Sequence, residues 1–204
     1  MKAVVCTRYG RVEDLEVLDV DDPAPGPHQV RVRMKKVAVN FPDSLIIAGL
    51  YQFTPRPPFS PGGEGVGVID AVGEGVDPSR VGERVMVWDS HNCMAEAVVL
   101  HGSKAFAIPE SLDDDSAASL MFGHGTSYYA LHQRGSLAPD ETLMVFGAAG
   151  GVGLAAVQLG KAMGAKVIAV VSTEEKARLC RDNGADETIV HSQCDVRAVV
   201  LRIS

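Results

Sequence analysis

Residues 142–159, TLMVFGAAGGVGLAAVQL, constrain the fold more than any other stretch of the chain. A short apolar run enters a glycine-rich turn, and the turn opens into a helix with an apolar face. Ala148-Ala149-Gly150-Gly151-Val152-Gly153 has the spacing of G-x-G-x-x-G, with alanine in the first place. A strand–turn–helix of this kind can hold a dinucleotide pyrophosphate. Gly150 admits phosphate oxygens with no Cβ in the way, and Gly153 permits close helix–strand packing. Unpaired N–H groups at the helix start, around Gly151 and Val152, then face the anion. The helix is expected to bury Val152, Ala155, Ala156 and Leu159 on one face and to close at Gly164.

The surrounding pattern fits that reading. Leu143–Phe146, Gly151–Met163, Lys166–Val171, Glu174–Asn183 and Glu187–Val190 read as βαβαβ, hence a parallel sheet. Residues 1–120 read differently, as short strands divided by Gly/Pro turns: Met1–Thr7, Glu16–Val20, Val30–Val39, Val66–Val72, Arg84–Val87, Ala95–Leu100 and Ala105–Ile108. Prolines at 55, 57, 58 and 61 make 55–63 a loop. The expected class is α/β plus β: a small barrel-like domain over 1–120, then a partial parallel-sheet domain over 121–204. Helical segments are expected over 111–120 and 127–133.

The end of the second parallel strand selects the cofactor. Val171 is followed by Ser172-Thr173-Glu174-Glu175-Lys176. Ser172 and Thr173 can donate to a ribose 2′-phosphate, and Lys176, one helical turn on, can neutralise it, which favours NADPH. Ser172-x-x-Glu175 also fits a capping box; Glu174 and Glu175 suit the positive end of a helix, and the alternative is that either serves as the acid on the ribose hydroxyls of NAD.

Composition narrows the partners. The net charge of −7, with no basic stretch, argues against nucleic acid. No apolar run has membrane-spanning length, and the first residues do not form a signal peptide. Cys6, Cys93, Cys180 and Cys194 show no paired spacing, so reduced thiols and a cytoplasmic setting are expected.

Several dispersed elements occur in a recognisable order. They are Val39-Asn40-Phe41-Pro42-Asp43, Gly49-Leu50-Tyr51, Pro61-Gly62-Gly63-Glu64-Gly65-Val66-Gly67-Val68, Val81-Gly82-Glu83-Arg84-Val85, Ala95-Glu96, Gly125-Thr126-Ser127 and the 148–153 turn. From Met1 to about His191 the chain resembles the zinc-independent, zeta-crystallin-like quinone oxidoreductases of the medium-chain dehydrogenase/reductase superfamily. The resemblance implies a GroES-like catalytic β-barrel domain followed by a Rossmann domain, with substrate between them. It also implies hydride transfer from NADPH to a quinone, an enone or an enoyl thioester.

The resemblance assigns roles residue by residue. Tyr51 matches a tyrosine that can donate to an enolate oxygen, or it lines the pocket. Asn40 is expected to touch the nicotinamide ribose or the substrate, and Asp43 to cap a helix starting near Ser44. Glu64 fixes its loop. Thr126 contacts the cofactor or caps a helix, and Ala149–Gly153 hold the pyrophosphate. His191 stands where relatives carry a tyrosine near the adenosine phosphate. Zinc-dependent relatives have a Cys near the place of Asn40 and a His at the place of Gly63, so no metal is expected. Asp89, His91 and Cys93 make a poor ligand set and read as surface loop residues.

Relatives of this kind are longer. A complete dinucleotide fold has two βαβαβ halves, and only the first is expected here, with Leu143–Phe146 as an apolar edge strand. Val196, Val199, Val200 and Ile203 have helical spacing. The chain is therefore expected to be part of a longer enzyme, to borrow an edge as a homodimer or from a full-length subunit, or to fold poorly past residue 140. The alternatives to a quinone or enone reductase are an enoyl-thioester reductase and a nucleotide-binding form without activity.

Overall fold

A computed structural model describes the backbone of residues 1–203, with the side chains of Val200, Arg202 and Ile203 outside the described set. The chain divides into two compact units, one of residues 1–120 and one from residue 121 onward.

In the first unit, β1 (Lys2–Val5) pairs antiparallel with β2 (Glu16–Asp19). A second sheet has five antiparallel strands: β3 (Gln29–Val37), β4 (Glu64–Val72), β5 (Arg84–Trp88), β6 (Ala97–His101) and β7 (Ala105–Ala107). Its order is β6-β3-β4-β5-β7, and the Ala3↔Ala95 bridge ties β1 to the segment that enters β6. Alternation along the strands sends Val30, Val32, Ile69, Val85, Val87, Val98 and Leu100 into one core, joined by Cys93. Cys93 is therefore a core residue and not a surface loop residue. Burial pushes its thiol up to about 12, which keeps it protonated.

Helix α1 spans Phe41–Ile47 and α2 spans Asp114–Ala118. The Asp113 carboxylate caps α2 by accepting from Ser116 N at 2.9 Å. Helix α1 begins three residues earlier than a start at Ser44. Asn40 is its N-cap, and Pro42 fits the first turn, where no N–H is needed.

The second unit opens with a helical run in which π-helical turns at Met121–Gly125 and Tyr129–Arg134 flank α3 (Thr126–Tyr128). Thr126 lies inside that run and so does not cap a helix. There follow β8 (Thr142–Phe146), α4 (Gly151–Ala162), β9 (Lys166–Val171), α5 (Glu174–Asp182), β10 (Glu187–Val190) and α6 (Val196–Ile203). The three strands are parallel in the order β10-β9-β8. Strand β9 is buried on both faces, as a central parallel strand requires. Val167, Ala169 and Val171 meet Val157, Ala177 and Cys180 on one face, while Ile168 and Val170 meet Ile189, Met144, Val196 and Val199 on the other.

Helix α4 packs on part of the face its hydrophobic residues suggest: Ala155 is buried and Ala156 packs against the core, but Val152 does not. Val152 is half exposed, and the closest approaches to the sheet come at glycines. A Cβ on Gly160 would lie 2.5 Å from Leu143 Cδ2, and one on Gly153 would lie 2.4 Å from Gly147 O. The stripe Gly153–Val157–Gly160 lets the helix axis sit close to β8 and β9. Small side chains mark the contact, and the larger Val152 is turned away from it.

Candidate functional site

The strand registers bring the expected nucleotide residues to one edge. Phe146, the last residue of β8, stands opposite Val170, and Val190, the last of β10, stands opposite Val171. The segments that leave these strands are the 147–151 turn, Ser172-Thr173 and His191-Ser192. All three therefore emerge at the carboxyl edge of the parallel sheet, the usual ligand edge of such sheets.

The turn is built around Gly147, which has φ +63°, a left-handed conformation that favours glycine. The motif spacing puts Ala148 in its first place, whereas the left-handed turn residue is Gly147, one position earlier, directly after the apolar strand. Gly147 O accepts from Gly150 N at 3.0 Å, and Gly150 is the N-cap of α4. A Cβ on Gly151 would meet nothing within 4 Å, and one on Gly150 would meet only Gly147 O, at 3.4 Å. Open space therefore lies over the helix start, while Gly153 behind it is crowded. The first N–H groups of α4, from Gly151, Val152 and Gly153, have no intrahelical acceptor. Space, donors and the positive helix end together fit a pyrophosphate.

One further residue supports the turn and was missed by sequence. Ser127 is buried, and its hydroxyl donates to Val152 O at 2.8 Å. A second link runs from His124 Nε2 to Gln158 Oε1 at 2.9 Å, then from Gln158 Nε2 to Asn183 Oδ1 at 2.7 Å. Gly-Thr-Ser reads as a helix start, so nothing in the sequence signals that Ser127 reaches across to α4.

At the end of β9, Lys176 Nζ donates to Ser172 Oγ at 3.2 Å. The cap of α5 is Thr173, whose hydroxyl accepts from Lys176 N at 3.3 Å, so Ser172 is not the capping residue. That frees the Ser172 hydroxyl to work with Lys176. The Glu174 carboxylate is taken by Arg181 Nη2 at 2.5 Å, which draws its charge away from the strand end. His191 is exposed, and its backbone N–H extends the β10–β9 pairing by donating to Val171 O at 3.0 Å. Ser192 Oγ donates to Ser172 O at 2.9 Å, bringing the two loops together.

In the first unit, Asn40 Nδ2 donates to Glu64 Oε1 at 2.9 Å, and Glu64 is fully buried at the start of β4. Asp43, also buried, accepts from Asn40 N at 2.7 Å; it stands inside α1 at the third helical position and braces the N-cap Asn40, and is not itself the capping residue before the helix. Burial raises the Asp43 carboxyl above its ordinary range, while the Asn40 and Gly62 N–H groups oppose the rise. Tyr51 is partly buried and packs on the cluster of Cys6, Ile46, Ile47 and Phe59. Asp89 and His91 have separate partners: Lys104 Nζ donates to Asp89 at 2.8 Å, and His91 Nδ1 lies 2.7 Å from Ser90 Oγ. Among the described residues, no group of three or more His, Cys, Asp or Glu is placed to hold a metal. No helix among them is long and apolar enough to cross a membrane.

Comparison with known proteins gives a consistent result. Residues 26–140 match the alcohol dehydrogenase GroES-like domain, and residues 151–204 match the zinc-binding dehydrogenase family. The chain is 39% identical to the quinone oxidoreductase of Pseudomonas aeruginosa, over 100% of this chain and 62% of that protein. The crystal structure of the Pseudomonas syringae pv. tomato quinone oxidoreductase superposes with a TM-score of 0.93 at 38% identity, over 99% of this chain and 62% of that one. The Escherichia coli quinone oxidoreductase, crystallised with NADPH, gives 0.91 at 30% identity, over 100% of this chain and 62% of that one. The chain thus spans somewhat under two thirds of the length of these relatives.

Proposed function

Because the chain belongs to the medium-chain dehydrogenase/reductase superfamily of oxidoreductases, we propose that it carries the NADPH-binding and acceptor-binding residues of a zinc-free quinone or enone reductase. The observation that carries this reading is the shared carboxyl edge of β8, β9 and β10. There an open helix N-terminus, a Ser172–Lys176 pair and the His191 loop lie in register. The NADPH complex of the Escherichia coli relative supports the choice of nucleotide.

In this reading Ala149, Gly150, Gly151, Val152 and Gly153 hold the pyrophosphate through backbone N–H groups, and Gly153 keeps α4 close enough to present them. Ser172 and Lys176 take the 2′-phosphate, with the Lys176 ammonium already directed by the serine hydroxyl. His191 borders the adenosine side, and Thr126 serves the nicotinamide side. NADPH supplies a hydride when bound, and a quinone that accepts it with one proton becomes a hydroquinone. Tyr51 donates a hydrogen bond to the acceptor oxygen. Asn40, fixed by Glu64, positions the ring partner. No metal takes part, so a chelator leaves turnover unchanged.

The test is a pair of titrations and an assay. Saturable binding of 2′-phospho-ADP-ribose, with NADPH-dependent reduction of 1,2-naphthoquinone in the presence of EDTA, is the expected result. Loss of turnover on chelation would refute the zinc-free reading. A clear preference for NADH would refute the Ser172–Lys176 assignment.

A further inference from the structure

The helical run 121–134 is tied to helix α4 at two points. The Ser127 hydroxyl donates to Val152 O at 2.8 Å, in the first turn of α4. His124 Nε2 lies 2.9 Å from Gln158 Oε1, further along the same helix. Beside these ties the two elements come close: a Cβ on Gly123 would lie 3.6 Å from Gly151 O and 3.9 Å from the Ala155 Cβ. Thr126 stands between His124 and Ser127 in the run and is exposed. Its place is therefore set relative to Gly151 and Val152, the residues that open α4.

The direction of the His124 bond follows from the amides behind it. Leu179 O is a carbonyl and can only accept, so the Asn183 group 2.8 Å from it is the Nδ2 amide. Asn183 Oδ1 then faces Gln158 and takes its Nε2–H at 2.7 Å. That turns Gln158 Oε1, which can only accept, toward His124, so His124 Nε2 carries a proton and donates. Nδ1 is buried and has no partner among the described residues. The ring is thus held by one bond, at a cost in stability that an apolar ring of the same size would not incur. The tie sits in the π-helical turn Met121–Gly125. A π-helical turn holds an extra residue, and such turns are frequent at functional sites. If this one relaxed to an α-helix, the residues after it would rotate by about 100°, one residue's share of an α-helical turn, and Thr126 would face elsewhere.

We propose that His124 is a positioning residue: its Nε2–H bond to Gln158 locks the π-helical turn and so holds Thr126 toward the nicotinamide half of the bound nucleotide. The proposal rests on the nucleotide reading above and adds to it a residue that fixes the reacting end of the cofactor without touching it. In that reading the pyrophosphate and the 2′-phosphate are held elsewhere, by the 149–153 turn and by Ser172 and Lys176. A loosened π-helical turn therefore reaches one half of the nucleotide and spares the other.

The experiment compares two ligands that differ in the nicotinamide. NADPH and 2′-phospho-ADP-ribose are titrated into the wild-type chain, His124→Phe, His124→Gln and Gln158→Leu. His124→Phe keeps a ring and removes the donor; it is expected to raise the NADPH Kd about fivefold and to leave that of 2′-phospho-ADP-ribose within about twofold. His124→Gln puts an amide N–H near the place of Nε2 and is expected to recover most of the loss. Gln158→Leu removes the acceptor and is expected to repeat the split, so the result does not depend on the folding of one variant. In the 1,2-naphthoquinone assay at saturating NADPH, His124→Phe is expected to lower kcat about fivefold with the quinone KM unchanged. Equal weakening of both ligands marks a merely structural role and overturns the proposal. So does an unmoved NADPH Kd, or a loss that His124→Gln fails to recover. Failure of the wild-type chain to bind either ligand overturns the nucleotide reading, and the positioning role falls with it.

Discussion

The carbonyl oxygen of Gly147 and the α-carbon of Gly153 face each other so closely that a Cβ at residue 153 would lie 2.4 Å from that oxygen. The obstacle is backbone, so it cannot swing away as a side chain would. Gly153→Ala is therefore expected to push the start of α4 off the turn. The loss is about 2 kcal/mol or more of stability, in the range of an overpacked core, with nucleotide affinity falling alongside. Thermal unfolding and a 2′-phospho-ADP-ribose titration check this. Gly151→Ala meets no atom within 4 Å and so serves as the stability control.

Lys176 Nζ donates to Ser172 Oγ at the end of β9, the pair to which the proposed function gives the 2′-phosphate. Ser172→Ala with Lys176→Ala is expected to weaken NADPH at least tenfold, from the loss of charge-assisted bonds of about 1.5–3 kcal/mol. NADH is left almost unchanged. The ratio of the two kcat/KM values is the measurement, and an unchanged ratio would reject the assignment.

Asn40 is partly buried and donates to the buried Glu64, so removing the amide takes one hydrogen bond from a buried acceptor. Asn40→Ala leaves the Glu64 carboxylate without the amide and is expected to cost about 1–3 kcal/mol. Asn40→Ala with Glu64→Leu recovers part of that cost. Denaturant melts of the single and double variants read the coupling.

The Asp186 carboxylate is held below its ordinary 3.8 by the Lys161 ammonium first and then by Val167 N, which donates to it at 2.8 Å. The folded state thus binds this proton more weakly than the unfolded state. The stabilisation is complete above 3.8 and disappears as pH falls through the lower folded value. Asp186→Asn is expected to flatten the acid limb of the stability curve of the second unit and to lower its plateau near neutrality. Urea unfolding between pH 2 and 6 is the measurement.

The strands and parallel helices were legible because their signals are local. Val167–Val171 is an unbroken apolar run, and the predicted strand, Lys166–Val171, has the bounds of β9. Glu187–Val190 likewise matches β10. The packing face of α4 was legible in part: Ala155 is buried as expected, but hydrophobicity also weights the half-exposed Val152, while the close approaches to the turn at Gly153 and to the sheet at Gly160 depend on the absence of side chains. The start of α1 was misplaced because Phe41-Pro42 reads as an extended dipeptide, yet Pro42 sits in the first helical turn. The glycine turn and the Ser172–Lys176 pair lie on contiguous sequence and were found. Ser127 and His124 depend on partners brought close by the fold: both reach α4 across residues of distant number. No spacing rule could have joined them.

Strand β9 has a hydrogen-bonded neighbour on each side and apolar side chains against both faces. Its amides have no route to solvent short of opening the whole second unit, so they set the slowest deuterium exchange there, limited by global unfolding. Exchange protection along Val167–Val171 therefore reports the stability of the entire second unit. Any ligand seated at the carboxyl edge would register in these buried amides, although it touches none of their side chains.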